Sequence, residues 1–102
     1  MVVMTVKEKE YKLNLRMSDV IAMEKELGDN PINLFIGIGE DMKTIPFTFT
    51  QMVTIIKYSL RQFHHGMKSE SVESLVDEWL EEEGNGFERL IEIVMELMQR
   101  FF

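Results

Sequence analysis

Apolar positions along this chain recur at two spacings, and the clearest series lies in residues 48–66, TFTQMVTIIKYSLRQFHHG. Phe49, Met52, Val53, Ile56, Leu60 and Phe63 return at intervals of three and four, which places them on one stripe of a helix that needs a partner surface. Thr48 or Thr50 can cap its start, because a hydroxyl there accepts a backbone N–H that has no partner within the helix, and Gly66 can close its end. Ile55 and Tyr58 lie off the stripe and widen the apolar face. The pattern therefore predicts a central core helix that touches more than one neighbour.

Two further series follow. Val72, Leu75, Val76, Trp79 and Leu80 keep the helical interval after Ser69 or Ser71 as cap, and Gly84-Asn85-Gly86 breaks that helix. Glu81-Glu82-Glu83 crowd its last turn, where the helix dipole disfavours negative charge, so this end is expected to fray. Phe87, Leu90, Ile91, Val94, Leu97, Met98 and Phe101 then mark a last amphipathic helix, with Phe102 beyond it.

The N-terminal third changes period. Val2 to Val6 is a β-favouring run, and in the second run Tyr11, Leu13 and Leu15 alternate with Lys12, Asn14 and Arg16, the signature of a strand with one covered face. A hairpin over residues 1–16 is the natural reading, although its turn lacks Asn-Gly or Asp-Gly. An isolated hairpin is marginal in water and must pack on the helices. Within residues 18–36 two short helices are predicted. Ser18 offers the first cap, Asp19 suits the dipole, Val20, Ile21, Met23 and Leu27 supply an apolar side, and Gly28 ends the helix. Asn30-Pro31 starts the second, over residues 31–36. Residues 40–47 read as a loop. The expected fold class is mainly α: an N-terminal β-hairpin followed by about five helices, packed as one small bundle-like domain over residues 1–102, with residues 69–102 as an acidic helical pair.

Length and composition narrow the function. The chain of 102 residues allows one core, and with no cysteine it holds no disulfide framework or thiolate site. No apolar run is long enough to span a bilayer, and no signal-peptide pattern opens the chain, so a soluble, unexported protein without a membrane partner is expected. The net charge is −7, and it is unevenly placed: ten acids between Glu70 and Glu96 face only Arg89 and Arg100 over residues 70–100, leaving the first 69 residues at +1. Such a balance disfavours a phosphate backbone, whose binding depends on Lys and Arg displacing counterions, so no nucleic-acid partner is expected. The acids read as the solvated faces of two helices, with a guide for a basic partner as the sharper alternative. The nine methionines read mainly as adaptable core residues, with a binding surface as the alternative.

No constellation points to catalysis or to a cofactor. Gly37-Ile38-Gly39 has neither the spacing nor the following residues of a phosphate-binding loop and reads as a helix stop. His64-His65 supplies too few ligands for a metal, and adjacent helical residues diverge by about 100° where helical zinc pairs use i and i+4. The serines have no base nearby in sequence, and the carboxylates are spaced as a wet helix face. A non-enzymatic protein with no cofactor is expected.

Taken together, YKLNLRMSDVIAMEKELGDNPINLFIG, TFTQMVTIIKYSLRQFHHG, ESLVDEWLEEEG and the closing helix resemble the tail assembly chaperones of long-tailed phages and of prophages in Gram-positive hosts. The resemblance covers nearly the whole chain. It is most specific in Glu24-Lys25-Glu26-Leu27-Gly28 with Asn30-Pro31, in Phe63-His64-His65-Gly66 and in the acidic turn of residues 77–84, and it departs in a longer loop at residues 38–47. It implies the short, non-frameshifted form of a protein that binds the tape measure protein, keeps it soluble in the host cytoplasm, promotes assembly of the tail tube, with the major tail tube protein as a second candidate partner, and is absent from the mature virion. Self-association into a homo-oligomer is left open. The expected partner surface is the end of the last helix, Met95, Met98, Phe101 and Phe102, with completion of the core as the competing role for these residues. A structural tail or connector component and a small acidic adapter for a host protein are the alternative functions.

Overall fold

The computed structural model describes residues 2–28 and 48–101. In chain order they form β1 (Val2–Val6), β2 (Lys9–Leu13), α1 (Met17–Leu27), α2 (Phe49–Leu60), α3 (Ser69–Glu81) and α4 (Phe87–Phe101). The fold is mainly helical with an N-terminal antiparallel hairpin. The helix expected over residues 31–36, the stop at Gly37-Ile38-Gly39, the loop of residues 40–47 and Phe102 lie outside the described residues.

The hairpin pairs Val2 with Leu13, Met4 with Tyr11 and Val6 with Lys9. Val2, Met4 and Val6 face the core while Val3 and Thr5 face outward, as the two-residue period of a strand requires. The second strand starts earlier than its apolar alternation suggests, because the turn is only two residues long. Lys7 and Glu8 both hold positive φ, 49° and 69°, the conformation of the tight turn whose twist matches that of the strands. The strand also ends earlier, at Leu13. The Asn14 N–H leaves the ladder to donate to the Ser59 carbonyl at 2.9 Å, and Leu15 is buried beyond the strand.

Thr48 caps α2 reciprocally with Gln51. The Gln51 N–H donates to Thr48 Oγ1 at 3.1 Å, and the Thr48 N–H donates to Gln51 Oε1 at 2.8 Å. The helix packs against α1, α3, α4 and β2, so it is the central element that its wide apolar face predicts. Met52, Ile55, Ile56 and Leu60 are sealed in the core. It stops at Leu60 rather than at Gly66, since the Ser59 carbonyl is taken by Asn14 and the chain tightens, with the Phe63 and His64 N–H groups both reaching the Leu60 carbonyl.

Two caps differ from the serines expected. The helix α1 begins after Arg16, whose side chain and backbone both bond the Asp19 carboxylate, and α3 begins after Lys68 with no side-chain cap. Asp19, expected merely to suit the dipole, is fully buried. It accepts from the Arg16 backbone N–H and Nε, each at 3.0 Å, and Arg61 Nε lies 3.6 Å away, so the carboxylate ties the start of α1 to the end of α2. Gly28, in the left-handed region, ends α1 as anticipated.

The acidic end of α3 is not frayed. The Asn85 side chain donates to the Trp79 carbonyl at 2.8 Å, and Glu82 turns outward to accept the Lys7 backbone N–H at 2.7 Å. Partners for the last carbonyl groups and for the carboxylate offset the unfavourable dipole. In α4, Leu90, Ile93, Val94, Leu97 and Met98 are buried against α2 and β1.

Candidate functional site

Phe49 and Phe87 are each the first residue of a helix, and both lie outside the sealed core, 61% and 52% exposed. The Thr48 cap fixes the first turn of α2, and the Leu90 N–H bonds the Gly86 carbonyl at 3.0 Å to start α4. These two starts bring the rings together, with centroids 5.3 Å apart and planes tilted by 48°. The rings stand at the edge of a groove of about 580 Å³ between α2, α3 and α4, which α1 reaches only through Glu26. Met52, Val53, Val76, Leu80 and Leu90 give it an apolar floor.

The polar atoms of the groove divide into committed and uncommitted ones. The Thr54 hydroxyl donates to the Thr50 carbonyl at 2.8 Å, and Ser69 Oγ accepts from Lys57 Nζ at 3.0 Å. Lys57 also donates to Glu26 Oε1 at 2.7 Å and lies over the Tyr58 ring. That ammonium holds the Glu26 carboxyl below its ordinary range, while burial, with Glu26 beside it, pushes the Tyr58 hydroxyl up. Glu73 and Asp77, one turn apart on α3, are exposed at the rim and form no ion pair among the described residues. The groove is therefore apolar below and negative along one edge.

The described residues expected to carry the partner surface, Met95, Met98 and Phe101, lie away from this groove. Met98 is 0% exposed and belongs to the core, so in this conformation it presents nothing to a partner. Met95 and Phe101 are half-buried and pack against that core, and Phe102 lies outside the described residues. None of the three described residues, Met95, Met98 and Phe101, is among those lining the groove. Periodicity alone assigns Phe49 and Phe87 to the apolar stripes of their helices. Their position at the first turn, directly after a cap or a glycine-bounded break, is the sequence signal that marks them as stripe members extending past the edge of the core.

His64 is held by contacts to the hairpin. His64 Nε2 accepts the Lys12 backbone N–H at 3.2 Å, and its ring packs on Tyr11 with centroids 5.1 Å apart. Burial, reinforced by Lys9 and Lys12, lowers its pKa from the ordinary value. Among the described residues no group of three or more His, Cys, Asp or Glu side chains is disposed to hold a metal ion, and no helix is long and apolar enough to cross a membrane. No protein-family model, curated protein or solved structure matches the chain.

Proposed function

We propose that this chain is a non-enzymatic tail assembly chaperone that binds the tape measure protein in the host cytoplasm, keeps it soluble and leaves before the particle is complete. The observation that carries the reading is the groove between α2, α3 and α4, lined by the exposed Phe49 and Phe87, whereas the other exposed large apolar side chains of the described residues, Val3, Met17 and Ile21, do not line it. A contiguous apolar surface rimmed by polar residues is the kind that marks a protein-interaction site or ligand groove, and the paired rings extend the groove's apolar floor to its edge. A groove between helices accommodates an amphipathic helix of the client by its apolar face. The resemblance in Glu24 to Gly28, in Phe63-His64-His65-Gly66 and in the acidic turn supports the identity of that client. The net charge of −7 keeps a complex with an apolar client dispersed.

Co-expression with a tape measure protein from the same genome tests the proposal. The expected result is a client that is insoluble alone, becomes soluble with the chain and co-elutes with it, together with mass spectra of purified particles that lack the chain. A client that stays insoluble, or a chain that remains in mature particles, overturns the proposal.

A further inference from the structure

We infer that the groove receives a helix whose apolar face is flanked by basic residues one turn apart, the apolar side chains entering beside Phe49 and Phe87 and the cations meeting Glu73 and Asp77. The inference rests on the groove as a client-binding surface, and it stands whether or not the client is the tape measure protein.

Charge complementarity identifies this occupant. Glu26, the third carboxylate at the groove, is already neutralised by Lys57 at 2.7 Å, whereas Glu73 and Asp77 have no cation among the described residues. Their spacing of four on α3 sets the two Cβ atoms about 6 Å apart on one helix face, the spacing presented by Lys or Arg at i and i+4 of a second helix. The floor argues against a polar small molecule, since Met52, Val53, Val76, Leu80 and Leu90 offer it no side-chain hydrogen bond of ordinary strength. The negative rim argues against a fatty acid, whose carboxylate would meet like charge. A client helix bearing acids in the flanking positions is rejected for the same reason, so the rim selects among apolar helices.

Two synthetic peptides of about 18 residues, long enough for five helical turns, supply the probe. Both carry Leu and Phe at helical spacing, and they differ only in having Lys or Glu at the two flanking positions. Fluorescence anisotropy with the whole chain is expected to show the Lys peptide binding roughly tenfold more tightly than the Glu peptide at about 50 mM salt, with the gap narrowing at about 300 mM. The double change Glu73→Lys with Asp77→Lys is expected to reverse that order. Glu92→Lys with Glu96→Lys, which makes the same change in net charge on the outer face of α4, is expected to leave it in place. Phe87→Ser is expected to weaken both peptides. A benzophenone side chain at position 87 is expected to crosslink to the Lys peptide.

Equal binding of the two peptides, or a preference that the Glu73 and Asp77 changes leave untouched, overturns the inference. So does a preference lost equally with the Glu92 and Glu96 changes, which reports bulk charge. Crosslinks that stay within the chain or join two copies despite saturating peptide overturn it as well. The outcomes separate from those of the chaperone proposal: a tape measure protein that fails to bind while the Lys peptide binds removes the client's identity alone, and a client held equally by the Glu73 and Asp77 variant removes the charge rule alone.

Discussion

The Lys7 backbone N–H donates to the Glu82 carboxylate at 2.7 Å, joining the tip of the hairpin to the C-cap of α3 across 75 residues of sequence. Each side of this contact answers a local difficulty of the other. The hairpin turns on two L-residues with positive φ, a conformation that favours glycine and asparagine, and α3 ends in three consecutive acids. The turn donor gives one of those acids a partner, and the acid holds the turn. Lys7 Nζ adds a second, exposed contact to Glu78 at 3.3 Å, which contributes little by comparison. Through this joint the hairpin is bound to the helix that carries the groove rim.

Removing the carboxylate while keeping the turn isolates the contact. Glu82→Ala is expected to lower stability by about 1 kcal/mol, in the range of a single hydrogen bond to a charged group at an accessible site. In a chain of this size that is a fall of roughly 4–8 °C in Tm. Amide exchange in Val6 and Lys9 should accelerate more than exchange in α2. Replacing Lys7-Glu8 by Asn-Gly is expected to act in the opposite direction, raising Tm, because the new residues adopt positive φ with little strain while the residue 7 N–H still reaches Glu82. A thermal melt of the two variants checks both signs, and a lowered Tm for the Asn-Gly variant would remove the strain argument.

The helical stripes were legible in sequence because burial and periodicity are the same fact for α2, α3 and α4: Met52, Ile56, Val72, Leu75, Leu90 and Val94 are all both periodic and buried. What the sequence did not disclose depends on partners far along the chain. The capping serines at 18 and 69 were the best local choices, yet Arg16 starts α1 because its side chain meets a buried Asp19 that also faces Arg61. Nothing local to the acidic triplet of α3 signals that a hairpin tip will dock on Glu82. The groove is assembled mainly from three helices, so no single stripe announces it, and the Phe49–Phe87 pair brings together residues 38 apart.

Asp19 should behave as a joint between two helices. Its carboxylate is fully buried while Arg16 and Arg61 remain partly in water, their side chains 41% and 43% exposed. Asp19→Ala therefore releases two cations that can be resolvated, and its cost is expected at the low end for a broken buried pair, about 3 kcal/mol. Arg16→Ala with Arg61→Ala leaves the anion buried without its side-chain partners and is expected to cost more. Urea unfolding of the two variants gives the order directly, and the reverse order would show that the arginines matter chiefly through their packing.

His64 gives the fold a pH dependence of predictable sign. Its Nε2 accepts the Lys12 N–H, which requires that nitrogen to be unprotonated, and burial with Lys9 and Lys12 nearby holds its pKa below the ordinary value. The folded chain binds this proton less readily than the unfolded chain, so the contribution is fully present above the unfolded pKa of about 6.5 and is lost as pH falls through the lowered folded value. Between pH of about 7.5 and about 5, Tm of the chain is expected to fall more steeply than that of His64→Gln, which does not titrate in this range. Matching slopes for the two proteins would show that other groups set the pH response.

Stability and client binding are expected to respond to different residues. Met98 is enclosed between α4 and the rest of the core, so Met98→Ala should lower stability by about 2–4 kcal/mol through lost burial and a residual cavity. Phe87 is more than half exposed, and Phe87→Ser should change stability by less than about 1 kcal/mol, chiefly through its edge contact with Phe49. Client capture should show the converse. Phe87→Ser should lose the client while melting almost as the parent chain does, and Met98→Ala should keep it at a temperature where the variant is still folded. Melting curves beside co-purification of the client at that temperature distinguish the two cases. If Met98→Ala abolished capture from a folded protein while Phe87→Ser retained it, the binding surface would have to be moved from the groove to the far end of α4.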